Sequence, residues 1–283
     1  MNYQYLTLPK FMFIMAVVVS LASCDKVKKP YRVERAVVEC DTPSFPALNN
    51  VIQKYLLEDY TGHTCTNCPR AHAIITNDLS SMKDTLVVIA IHAGSNARPE
   101  EGLFSADYRT EAGNAYAQQF NITAYPSGMI NRLIFNSNRI VSYGTWKSTL
   151  ETIPRNPANV GMQILTEFNN DKACIFVKTS LLSDVLEKLQ LCVLLTESGI
   201  VSPQKNGIKI DTNYVHNHVL RASLAPVWGD DIGISAKGEA IIKTYSIDFS
   251  DKTWKRENCH IVAFIYNANN EDILQVEEVK LVP

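Results

Sequence analysis

Apolar positions along this chain change their period once, near residue 157. Before that point short apolar runs alternate with helical spacings. Tyr55 to Tyr60 reads as a strand, Thr61-Gly62-His63 as a turn, and Ala71, Ile74, Ile75, Leu79 and Met82 recur on one helical face. Leu86 to Ile91 is a continuous run rich in Val and Ile, the pattern of a central strand buried on both faces. Tyr108, Ala112, Ala115, Tyr116 and Phe120 mark a second amphipathic helix, and a turn at Tyr125-Pro126-Ser127-Gly128 precedes a strand through Met129 to Phe135. A last helix on Trp146, Leu150 and Ile153 is stopped by Pro154. That order is an α/β layout over residues 51–156. From 157 to 283 the period is two, with Met162, Ile164 and Phe168 alternating with polar neighbours. Similar runs follow at 172–179, 188–196, 239–249, 257–267 and 272–281, separated by Asn, Asp, Gly and Ser. Such spacing predicts an antiparallel β-sandwich of roughly seven strands, immunoglobulin-like or jelly-roll-like.

The N-terminus has a different character. Phe11 to Leu21 is apolar but far shorter than the ~20 residues of a spanning helix, and Lys10 precedes it, which reads as the h-region of a signal peptide over residues 1–23. Leu21-Ala22-Ser23-Cys24 resembles the lipobox of bacterial lipoproteins, which makes Cys24 the acylated residue. Several acyl chains on one cysteine give durable anchoring at ~0.8 kcal/mol per buried CH2. Residues 24–50 carry lysines, prolines and asparagines, the composition of a tether, with a short strand possible at Val33 to Val38.

Composition adds bounds. With 283 residues, 46% of them hydrophobic, and a net charge of -2, the chain can build a real core and has no global positive field to draw it onto nucleic acid. There are seven cysteines, and export places them where disulfides persist. Cys65 and Cys68 pair by spacing. For Cys40, Cys174, Cys192 and Cys259 the sequence reveals no partners; the last two sit in apolar strands as small buried residues, and a disulfide among Cys174, Cys192 and Cys259 stays open.

Cys65-Thr66-Asn67-Cys68 lies between a strand and a helix. The first thiol then sits at a helix N-terminus, where free N–H groups and the helix dipole favour the thiolate. Cys68, one turn on, would resolve the mixed disulfide formed by Cys65. Pro69 falls where a missing N–H costs least. Half of a zinc site has the same spacing, but no second CxxC or CxxH exists, and His63 and His72 are too near the pair to act as confident ligands. No metal or cofactor is therefore assigned. His216 and His218, two apart, would share a face of a strand and form a possible metal pair without a third ligand.

The CxxC after a strand, with Pro126 some sixty residues later before another strand, resembles the thioredoxin superfamily. That resemblance implies a thioredoxin-like α/β domain followed by the β-sandwich domain, a cis Pro126 facing the thiols, and Asp59 as the buried acid serving the second cysteine. The sequence departs from it with Thr64 in place of the usual tryptophan and Thr66-Asn67 between the cysteines. A longer likeness is carried by Leu57 to Pro69, Tyr125 to Gly128, Asn131-Arg132 and His216 to Arg221. It resembles the Bacteroidete lipoproteins named as twenty-eight-kilodalton outer membrane proteins, which implies an outer-membrane location. The expectation is a lipid-anchored thiol-disulfide oxidoreductase acting on thiols or disulfides of envelope proteins, with Cys65, Cys68, Asp59 and Pro126 as its site. The competing expectation is a binding or adhesion lipoprotein whose Cys65–Cys68 bond is static. The basic Asp25-Lys26-Val27-Lys28-Lys29 segment after the anchor favours the periplasmic face.

Overall fold

Strands β1 (Tyr55–Thr61) and β2 (Leu86–His92) are buried at every residue and run parallel, from Tyr55 opposite Leu86 to Thr61 opposite His92. This is a computed structural model, and it describes residues 40–49, 51–154 and 156–282. Signal peptide, Cys24, most of the tether and the Val33 to Val38 segment lie outside the described residues. Among the described residues no helix is long and apolar enough to cross a membrane.

Between β1 and β2 the chain makes a short helix, α1 (Cys68–Ala73), then a wider π-type turn over Ile74–Asp78. After β2 come α2 (Glu111–Gln119), β3 (Ser127–Ile130), antiparallel to β1, and α3 (Trp146–Thr152). Thr110 caps α2 by accepting from the Gly113 N–H at 3.0 Å, which satisfies one of the free donors of its first turn. β3 ends earlier than the sequence pattern suggests because Asn131 and Arg132 both take positive φ, 47° and 53°, and turn the chain out of the sheet.

The second half supplies β4 (Val160–Asn169), β5 (Lys172–Leu181) and β6 (Leu189–Glu197). A run of short strands follows: β7 (Ile200–Val201), β8 (Gln204–Asn206), β9 (Lys209–Asp211), β10 (Val215–His216), β11 (Val219–Ser223) and β12 (Asp230–Asp231). The chain closes with β13 (Ala240–Asp248), β14 (Cys259–Asn267) and β15 (Ile273–Lys280). The long strands coincide within two or three residues with the runs read from the sequence; β13 alternates strictly because one face meets the core, whereas β6 and β14 are buried on both faces and are nearly continuous apolar runs.

The expected fold class, a thioredoxin-like α/β domain followed by an all-β sandwich, is not what forms. The chain is mostly β, 39% strand against 17% helix, with three short α-helices and no distinct α/β core of thioredoxin type among the described residues. One mixed eight-stranded sheet runs β15-β14-β6-β11-β2-β1-β3, with β12 added on β6, so strands from both halves of the chain share it. The junction is small. Val219 of β11 lies opposite Ala90 of β2 in parallel, and the Ala90 N–H donates to the His218 carbonyl at 2.8 Å. The reason is backbone accounting: a strand as apolar as β2 cannot leave its second edge unpaired in a core, and β11 is what covers it. Periodicity reveals that a strand is buried, but carries no information about which strand lies beside it.

Packing follows the sheet's two faces. Helix α2 lies across both halves, with Tyr116 and Ala112 among Leu56, Ile89 and Ile91 of β1 and β2 and Leu194 and Val262 of β6 and β14. On the opposite face α1 and α3 cover β1 and β2 through Ala71, Trp146 and Leu150. There the three-stranded sheet β13-β5-β4 covers β6 and β14 through Val160, Ile175 and Val177. A disulfide joins Cys40 to Cys174 on β5, a sequence separation of 134, and pins the approach segment to this second sheet. Cys192 and Cys259 are free and buried.

Candidate functional site

β1 delivers the chain to the CxxC. After Thr61 it turns through Gly62, where a side-chain carbon would collide with the Asn96 carbonyl, so only glycine permits this approach. Cys65 and Cys68 are joined in a disulfide, and the Cys68 N–H, first in α1, points at Cys65 Sγ at 3.1 Å. A sulfur placed there receives a helix-terminal N–H, the arrangement that favours a thiolate once the bond is reduced. The Tyr125–Pro126 peptide is cis, and Ser127, next in sequence, pairs with Tyr60 near the end of β1.

Both sulfurs are enclosed, with Cys65 3% exposed and Cys68 fully buried. The cover is the β8–β9 hairpin. Gln204, itself fully buried, donates its side-chain amide to the Cys65 carbonyl at 2.9 Å and the Gly62 carbonyl at 3.2 Å. The Lys205 N–H donates to the His63 carbonyl, and the Gly207 N–H to that of Thr66, each at 2.9 Å.

Asp59 is fully buried on β1. His72 lies on α1 four residues beyond Cys68, so the two share a helix face. His72 Nε2 stands 3.2 Å from Asp59 Oδ2 and 3.2 Å from Thr61 Oγ1, while its Nδ1 is 2.5 Å from the Tyr214 hydroxyl. The ring nitrogen is better aligned with Thr61 than with the carboxylate, whose oxygens have no hydrogen bond of regular geometry among the described residues. These groups open on a cavity of about 360 Å³ whose lining includes Asp59, Pro69, His72, Tyr214 and His218. Burial, and next the Asp59 charge, pushes the Tyr214 hydroxyl well above its ordinary value, so it stays a proton donor at neutral pH.

His216 and His218 separate rather than share a face. His218 takes a positive φ of 57° between β10 and β11 and lines the cavity, whereas the His216 ring packs on His92 at 5.7 Å and Tyr108 at 5.6 Å. Burial pushes His216 down to about 4 and His218 likewise to about 4. His92 is driven well below its ordinary value, mainly by burial and next by His216. Among the described residues no three His, Cys, Asp or Glu side chains are placed to hold a metal ion.

Residues 113–283, more than half of the chain, match the family model described as outer membrane protein Omp28. The chain belongs to the Omp28 outer membrane protein family. The matched range includes Gln204 and Tyr214 of the site but begins after the CxxC. Of solved structures, HBP35 of Porphyromonas gingivalis has a TM-score of 0.66 at 16% identity, covering 83% of this chain and 77% of that one, a likeness of fold. A domain of the outer membrane lipoprotein Omp28 from Porphyromonas gingivalis is 25% identical, over 44% of this chain and 88% of that domain, with a TM-score of 0.31. No curated protein matches the chain.

Sequence reading named Cys65, Cys68, Asp59 and Pro126 as candidates but not His72, Tyr214 or Gln204, which the structure places around Asp59 and the CxxC. His72 had a signal, its four-residue offset from Cys68. Gln204 and Tyr214 had none, since they arrive from a loop well over a hundred residues away.

Proposed function

We propose that this Omp28 family protein is anchored through a lipid on Cys24, faces the periplasm, and exchanges disulfides with envelope proteins at Cys65 and Cys68. One observation carries the reading: a Cys65–Cys68 disulfide at the start of a helix, with an N–H on Cys65 Sγ, and a fully buried acid, Asp59, on the strand that leads into it. A purely structural staple gains nothing from a buried carboxylate at that place, whereas an exchange site needs a proton acceptor for its second thiol. In this reading Cys65 attacks, Cys68 resolves, Asp59 takes up the Cys68 proton and Pro126 borders the substrate groove. The test is a thiol titration of the mature protein across defined glutathione ratios. A potential in the range of known oxidoreductases supports exchange, and one below about -300 mV refutes it.

A specific observation favours a second reading. Both sulfurs lie beneath the β8–β9 hairpin, which suits a static bond in a binding lipoprotein. The same titration separates the two.

A further inference from the structure

We propose that Tyr214 and His72 are positioning residues for Asp59: the Tyr214 hydroxyl holds His72 with its proton on Nε2, and that N–H orients the Asp59 carboxylate to receive the Cys68 proton. The inference rests on the exchange reading and extends it to a residue from the far half of the chain.

The geometry supplies each link. The Tyr214 hydroxyl, 2.5 Å from Nδ1, is a donor because burial and the Asp59 charge keep its proton on. A neutral imidazole that accepts at Nδ1 carries its proton at Nε2. That nitrogen is 3.2 Å from Asp59 Oδ2, with Thr61 Oγ1 at the same distance as a second acceptor. Other groups facing His72 are His92 on β2 and His216 and His218 on the same segment as Tyr214. All three are held neutral by burial and so supply no competing cation to Asp59. Asp59 is fully buried and its oxygens have no regular hydrogen bond among the described residues, so the Nε2 nitrogen at 3.2 Å is the polar group placed to orient it. Cys68, one turn before His72 on the same helix face, is the thiol that the carboxylate serves.

The chemical step balances. A mixed disulfide joins Cys65 to the partner's sulfur. The Cys68 thiol yields its proton to Asp59, and its sulfur attacks Cys65 Sγ. The Cys65–Cys68 bond forms as the partner's sulfur leaves with the electron pair. The partner is reduced by two electrons and this chain's dithiol is oxidised.

Full-length mature protein, wild type and Tyr214→Phe, is examined by NMR of isotope-labelled imidazole nitrogens, with His72→Asn for assignment. Stopped-flow release of glutathione from the Cys65 mixed disulfide is measured in parallel. The wild type is expected to carry the His72 proton on Nε2, and Tyr214→Phe to mix the tautomers and slow release roughly tenfold, the worth of one hydrogen bond. Because Tyr214 acts through Asp59, adding Tyr214→Phe to Asp59→Asn should slow release no further. A wild-type His72 protonated on Nδ1, or full additivity of the two substitutions, overturns the inference while leaving the exchange reading intact. A wild type that releases no glutathione overturns the exchange reading, and the inference with it.

Discussion

Arg132 and Glu58 form a fully buried bidentate pair, with the guanidinium Nε and Nη2 donating to the two carboxylate oxygens at 2.9 and 2.8 Å. The guanidinium also lies over the rings of Tyr116, Phe120, Phe264 and Tyr266, between 4.8 and 5.5 Å from their centroids. Glu58 and Asp59 are neighbours on β1, and successive strand residues point to opposite faces. One carboxylate is therefore spent on the core beneath α2, and the other faces α1 and the candidate site.

Removing one partner of such a pair leaves a charge buried without compensation. Glu58→Gln should lower stability by about 3–5 kcal/mol, read as a reduced urea midpoint. Glu58→Leu combined with Arg132→Met should lose much less, because apolar groups replace both partners.

Gln204 anchors the hairpin over the CxxC through two carbonyls. Gln204→Ala should raise the alkylation rate of the reduced Cys65 thiol about tenfold, the effect of removing about 1–1.5 kcal/mol of hydrogen bonding from the closed form. Cys68, fully buried, should remain the slower thiol. Equal rates in wild type and variant would show that the hairpin does not govern access.

The Cys40–Cys174 bond closes a long loop. Cys40→Ala should cost roughly 2–4 kcal/mol by freeing the unfolded chain, without altering exchange at Cys65 and Cys68. Chemical denaturation and the glutathione titration, run on the same variant, check both halves of this expectation.

Stability should fall as pH drops from 6.5 towards 4. Burial holds His216 and His218 at about 4 in the folded chain against an ordinary 6.5, so in that window the unfolded chain binds protons that the folded chain refuses. Glu278, pushed by burial up to about 7, works the other way. Between pH 7 and its ordinary 4.5 the folded chain binds a proton that the unfolded chain releases. Burial also lowers His92, His63 and His260 and raises Glu277, so five histidines are set against two carboxyls and the net acid limb is downward. Melting temperatures across this range should show the decline, which His216→Gln should flatten and Glu278→Gln should steepen.

The sequence by itself determined much of the local structure. The long strands of the second half, the buried β2 run, the placement of Cys65 and Cys68 before a helix, and Asp59 upstream of them all follow from period, spacing and composition, which are properties of neighbours in the chain. Tertiary structure alone decided that β11 pairs with β2 and merges the halves into one sheet, that Cys174 bonds to Cys40, and that Gln204 and Tyr214 lie against the candidate site. Each of these joins residues distant in sequence. Which buried edge meets which strand, and which loop covers a cavity, is set by three-dimensional packing and by the need to pair every buried polar group. Neither leaves a periodic trace along the chain.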